Sequence, residues 1–139
     1  MVAAIRLDAD PEPAVILGLG TDVVGVARMR SLLEQHQERF LARWFDPREA
    51  QHIAKHRDGA ERAAGRWAAK EAAAKALGTG FADGVVPSQI AILPSASGAP
   101  YLEWSGQALA RVQALGATRW HVSISHADGV AFAVVILEA

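Results

Sequence analysis

Apolar positions along this chain switch between two periods, two residues and about 3.6, and the switches mark out its elements. Residues 14–24 are almost continuously apolar and rich in β-branched side chains, which predicts a strand. Gly18 and Gly20 share one side of it, because alternate residues share a face, so a neighbour is expected to pass close there. From 26 to 45 the period lengthens. Met29, Leu32, Leu33, Phe40, Leu41, Trp44 and Phe45 fall at helical spacing, with Arg28, Arg30, Arg39 and Arg43 among the polar positions. Asp46, Pro47 and Glu49 then supply a cap, a first-turn proline and an acid three residues past the cap, which starts a short helix ending near Asp58 and Gly59. A further helix is predicted over 61–77, where strong helix formers dominate and Gly78 stands where a left-handed residue would close the run.

The second half returns to the short period. Residues 85–93 and 100–104 alternate as strands, and the turn-forming composition of 94–98 joins them as a hairpin. Ser105 can cap a helix to Leu115, with Ala108, Leu109, Val112 and Leu115 inward and Gly116 as its stop. Over 119–125, Trp120, Val122 and Ile124 point one way and His121, Ser123 and Ser125 the other. Residues 126–129 make a tight turn, and 130–137 is apolar on both faces, as in a central strand covered on both sides. Residues 1–13 lack periodicity and are expected to form a loose leader before a single domain over 14–139. The fold expected is α+β: one antiparallel sheet from the N-terminal strand, the central hairpin and the C-terminal pair, packed on the long helices.

Composition narrows the class. A chain of 139 residues buries about two-thirds of its unfolded surface as one domain. Without cysteine there is neither a disulfide framework nor a thiolate zinc site. Nothing in the sequence resembles a signal peptide or a bilayer-spanning run, so a cytoplasmic protein without a membrane partner is expected. The net charge of −1 hides an asymmetry: residues 28–75 hold 11 Lys and Arg against 7 Asp and Glu, and the rest 3 against 8. This positive block suits an anionic small molecule or an acidic protein partner, and is too weak for general nucleic-acid binding.

The helix over 61–77 concentrates the candidate chemistry. Trp67, Glu71 and Lys75 follow at four-residue steps in a row along one face, with Arg66 and Lys70 on the next. An ordinary surface pair of Glu71 and Lys75 is the competing account. The alanines between them, and the open Gly78-Thr79-Gly80 exit, let a backbone or ligand approach closely. Asp22 reads either as a turn or N-cap residue, which spacing favours, or as a carboxylate delivered to a strand end. The glycines at 18 and 20 do not make a dinucleotide fingerprint, because Val23 stands where the third glycine would be. His52 and His56 have a zinc-compatible spacing, but Ile53 replaces the glutamate expected beside the first, so they read as surface histidines. Ser125-His126 lacks the elbow of a serine hydrolase.

Three blocks in order, Gly18-Leu19-Gly20-Thr21-Asp22-Val23-Val24, then Arg66-Trp67-Ala68-Ala69-Lys70-Glu71-Ala72-Ala73-Ala74-Lys75-Ala76 with Gly78-Thr79-Gly80, then His121-Val122-Ser123-Ile124-Ser125-His126, resemble the holo-[acyl-carrier-protein] synthases, the short form of 4′-phosphopantetheinyl transferase. The resemblance spans about residues 15–138 and leaves out the leader. It implies transfer of the phosphopantetheine arm of coenzyme A to a serine of apo-acyl carrier protein, releasing adenosine 3′,5′-bisphosphate. By the same resemblance Asp22 and Glu71 hold Mg²⁺, Glu71 takes the serine proton directly or through a water, and Lys75 holds a phosphate. Arg66 and Lys70 form the positive flank, with Arg66 on the nucleotide phosphates and Gly78 and Gly80 lining the approach. His121, Ser123 and Ser125 close the nucleotide side, in a homotrimer with sites between subunits. Arg28 meets the acidic carrier, of fatty-acid or polyketide type. Gly25 departs from the resemblance, standing where relatives often carry an acid. The alternative is a non-catalytic coenzyme A or nucleotide-binding module of the same fold, against which the retention of Asp22, Glu71 and Lys75 speaks.

Overall fold

A computed structural model describes residues 13–139, so the leader expected over 1–13 lies, Pro13 apart, outside the described residues. The chain runs β1 (Ile16–Gly25), α1 (Val26–Trp44), α2 (Pro47–Lys55), α3 (Gly59–Ala76), a 3₁₀ turn (Pro87–Gln89), β2 (Ile90–Pro94), β3 (Pro100–Trp104), α4 (Gly106–Leu115), β4 (Arg119–Ala127) and β5 (Val130–Glu138). α2 opens on the capping box read from the sequence: Arg48 N donates to Asp46 Oδ1 at 2.8 Å and Asp46 N to Glu49 Oε1 at 3.0 Å. α3 starts two residues earlier than its pattern predicts, because Asp58 accepts from Glu61 N at 3.1 Å and so caps it. The strand expected over 85–93 keeps only its second half, since Pro87 has no donor for a ladder and the 3₁₀ turn takes its place.

Among the described residues the single sheet expected is instead two. β5 lies between β1 and β4 in an antiparallel three-stranded sheet, and β2 pairs only with β3. The hairpin joins β4 through side chains: the Trp120 indole donates to Leu102 O at 3.1 Å, and the Trp104 and Trp120 rings meet edge to face at 6.1 Å. A second core, between α1, α2 and the first half of α3, gathers Phe40 and Phe45 around Trp67 at 5.8 and 6.3 Å. Trp67 therefore packs inside and does not extend an open row with Glu71 and Lys75.

α3 lies across the inner face of the three-stranded sheet, over the buried Ala131, Ala133, Val135 and Leu137 of β5. It approaches β1 so closely that a Cβ on Gly18 would stand 2.1 Å from Ala76 O, and one on Gly20 1.8 Å from Ala72 O. The close approach read from these two glycines is thus made by α3. Backbone atoms cannot swing aside as a side chain can, so Gly20→Ala is expected to lose about 3 kcal/mol or more, the upper end of overpacking costs. Urea unfolding followed by circular dichroism checks this. The outer face of the sheet, expected to be covered, is open in the single chain: Leu19, Val23 and Phe132 are 61%, 62% and 40% exposed.

Candidate active site

Asp22 stands two residues beyond Gly20 on the face of β1 that α3 covers, which carries its carboxylate to the second half of that helix. Lys75 Nζ reaches it from α3, donating to Asp22 Oδ1 at 3.1 Å and to Thr21 O at 3.0 Å. The N-cap account of Asp22 fails, because α1 begins at Val26 with no side-chain cap. So does the surface pair, since Lys75 spends its bonds on β1 and not on Glu71. Glu71, one turn before Lys75, is partly buried, and its carboxyl is pushed up, first by that burial and then by the negative charge of Asp22, against a smaller opposing pull from Lys75. Two acids from two elements thus share one corner with one lysine. Two hard oxygen donors suit Mg²⁺, which keeps several waters and takes substrate phosphates as ligands. Among the described residues no group of three or more His, Cys, Asp or Glu is placed to enclose a metal, so a closed structural site is not built here.

A cavity of about 610 Å³ opens on the other side of α3, between α2, the turn of the β2–β3 hairpin and the end of β4. Arg66 lines it while only 8% exposed, and its Nε is buried without a hydrogen-bond partner among the described residues. Burial pulls its pKa down, opposed by Glu49. His126 lines it from β4, its Nδ1 3.3 Å from Glu61 Oε1. From the sequence His126 opens a turn. It shares the parity of Val122 and Ile124, and β4 extends to Ala127, so alternation carried two residues further would have found it. His52 and His56, read as surface histidines, also line the cavity, their rings 4.6 Å apart.

The acid pair and the cavity do not meet within one chain. Arg66 and Glu71 are five residues apart on α3, which turns them about 140° apart around the axis. Asp22 and His126 belong to the two edge strands with β5 between them, about 10 Å across, and α3 lies over that gap.

Residues 18–135 match the sequence profile of the 4′-phosphopantetheinyl transferase superfamily. The chain belongs to this superfamily. It is 53% identical over 124 residues to the holo-[acyl-carrier-protein] synthase of Solidesulfovibrio magneticus, covering 89% of this chain and 99% of that protein. The crystal structure of holo-[acyl-carrier-protein] synthase from Neisseria meningitidis superposes with a TM-score of 0.81 at 32% identity, covering 90% of this chain and 100% of that one. The Helicobacter pylori synthase in complex with coenzyme A superposes with a TM-score of 0.75 at 29% identity, covering 86% and 98%. The α+β transferase fold expected from the sequence is therefore the fold observed.

Other residues that the transferase resemblance singles out fall in different places. Lys70 is a correction. It is fully buried, and its Nζ donates to Glu49 Oε1 at 2.6 Å, Pro87 O at 2.9 Å and Ile90 O at 2.6 Å, which uses all three of its donors and leaves none for a substrate. His121, Ser123 and Ser125 lie on the outer face of the sheet, turned away from α3, and His121 Nε2 meets Glu138 Oε1 at 3.0 Å. None of the three reaches the acid pair or the cavity of its own chain. Gly78 and Gly80 form the exit of α3 with positive φ, and Gly80 N donates back to Ala74 O at 3.1 Å. Arg28 is exposed in the first turn of α1.

Proposed function

We propose that this chain transfers the 4′-phosphopantetheine arm of coenzyme A to a serine hydroxyl of apo-acyl carrier protein, leaving adenosine 3′,5′-bisphosphate. The observation that carries it is the corner of Asp22, Glu71 and Lys75, where two acids from two elements meet beside a lysine. The serine oxygen attacks the phosphorus nearest the pantetheine, a new P–O bond forms, and the bond to the adenosine 5′-phosphate breaks. Glu71 accepts the serine proton. Lys75 exchanges its bond to Thr21 O for the departing phosphate and offsets the charge that builds there. Asp22 and Glu71 would hold Mg²⁺, which supplies neutralisation of the pyrophosphate charge. Arg66 offers its unpartnered Nε to the phosphates of the nucleotide.

Because α3 separates the acid pair from the cavity in one chain, a second copy supplies the missing half. The open apolar face of Leu19, Val23 and Phe132 is where copies join, with His121, Ser123 and Ser125 beside the seam. Each chain offers both halves, so a ring of copies completes every site, and the transferase resemblance implies three of them around a common axis. Arg28 and the positive block serve the acidic carrier protein.

Intact-mass measurement of apo-acyl carrier protein incubated with this protein and coenzyme A tests the reaction. With magnesium the carrier gains one phosphopantetheine, and with a chelator it gains none. Coenzyme A binding without any gain, on several carriers, would return the chain to the binding-module alternative.

A further inference from the structure

We propose that His52 and His56 are specificity-determining residues that read a phosphate monoester at the nucleotide end of the cavity, trading a bond between His52 and Arg62 for protonated contacts to the dianion. This rests on the coenzyme A reading above and adds a proton-linked choice of nucleotide to it.

The geometry fixes the starting state. Arg62 Nη1 lies 3.2 Å from His52 Nε2. A guanidinium only donates, so Nε2 accepts and the free imidazole is neutral, with its proton on Nδ1. His56 packs against it edge to face at 4.6 Å. Both line the cavity into which Arg66 turns a buried, unpartnered donor, and Arg57 lines it beside them. A pocket that already holds one idle guanidinium donor is built for an anion.

The charges around the pair all push the same way. His52 is held below its ordinary value first by burial, then by Arg66, Arg62, His56 and Lys55. His56 is held down first by burial, then by Arg62 and Arg66. The acids of the cavity wall are engaged elsewhere: Asp58 caps α3 and meets Arg30 of α1 at 3.6 Å, and Glu61 meets His126 of β4 at 3.3 Å. The hairpin contributes Ile92, Pro94, Gly98 and Pro100, none of them charged.

Coenzyme A carries a phosphate monoester on its ribose, a dianion above its second pKa of about 6. Dephospho-coenzyme A keeps the pyrophosphate and lacks this group. A dianion entering among Arg57, Arg62 and Arg66 offsets most of their positive field on the two rings and offers them an acceptor, so they gain protons. A protonated His52 can no longer accept from Arg62, and both become donors to the phosphate. The free-state values are depressed and the bound-state values raised. Between the two, binding takes up protons, and affinity climbs as pH falls through the bound-state value and is lost above it.

Isothermal titration with coenzyme A and with dephospho-coenzyme A, at about pH 8 and about pH 6.5, in two buffers of different ionisation enthalpy, reads this directly. The expected result is proton uptake with coenzyme A alone, and a coenzyme A preference that grows about tenfold per unit of pKa gained on binding. His52→Gln/His56→Gln is expected to abolish the uptake and flatten the preference, with each single substitution as a check if the pair lowers stability. Uptake that survives the double substitution, that is equal for both nucleotides, or that vanishes instead in His126→Gln overturns the proposal. Coenzyme A binding with no uptake overturns it alone, whereas no binding of coenzyme A at either pH overturns the coenzyme A reading with it.

Discussion

Glu71→Gln is expected to slow phosphopantetheine transfer by about a thousandfold or more while leaving the fold intact, and Asp22→Ala to do the same. Glutamine keeps the shape of Glu71 and removes both its charge and its capacity to take a proton. Its side chain is only partly buried, and its burial disfavours the charged form, so the neutral variant folds at least as well. Loss of rate without loss of melting temperature is the pattern that separates a catalytic acid from a structural one. An active Asp22→Ala/Glu71→Ala double variant would remove the metal and base assignments together. The same variant tests where the site is completed. Mixed and reassembled with Arg66→Gln, which spoils only the cavity half, Glu71→Gln is expected to regain activity, because about one site in four then pairs an intact acid corner with an intact cavity from the next copy. Two inactive variants that stay inactive on mixing, while still assembling together, would place the whole site in one chain.

What periodicity and end signals carry was legible in advance. The capping box at Asp46, the helix stop at Gly78 and the close approach at Gly18 and Gly20 follow from local chemistry, and each is found in the structure. Depth was not legible. A helix of alanines gives no moment to say which side faces inward, so Lys70, beside Glu71 in sequence, reads as part of the positive flank of the substrate and proves to be interior. Sheet membership was not legible either, because the hairpin meets β4 through Trp104 and Trp120, and tryptophans forecast burial without a ladder. The alternating polar face of β4 drew attention to His121, Ser123 and Ser125, whereas the cavity uses His126 on the opposite parity. The strand β5 was read as covered on both faces for the sound reason that both are apolar. One chain covers only one of them.

Lys70→Met is expected to lower folding stability by about 3–5 kcal/mol, the cost of leaving a buried partner's charge uncompensated. Glu49 is fully buried, with Oε1 held by Lys70 and Asp46 N and Oε2 accepting from Ile92 N at 3.0 Å, so its carboxylate ties α2, α3 and β2 together. Burial already pushes its pKa up, and Lys70 is the largest force pulling it back. With the ammonium gone, the folded-state value rises further above the unfolded one. An acid shifted upward binds its proton more tightly when folded, so the stability of Lys70→Met is greatest below the unfolded value, at about pH 4, and falls as pH climbs through the raised folded one. Urea midpoints taken across that range check the sign, and a deficit that stays constant with pH would mean Glu49 is not the group left behind. Glu49→Leu/Lys70→Met removes both charges and is expected to recover most of the loss, since an apolar pair needs no compensation. The loss that remains measures the hydrogen bonds from Asp46 N and Ile92 N, which the leucine cannot accept, and those to Pro87 O and Ile90 O, which the methionine cannot donate. Because Lys70 precedes Glu71 on α3, the recovered double variant is also expected to regain transfer, which distinguishes a lysine that holds the helix in place from one that touches coenzyme A.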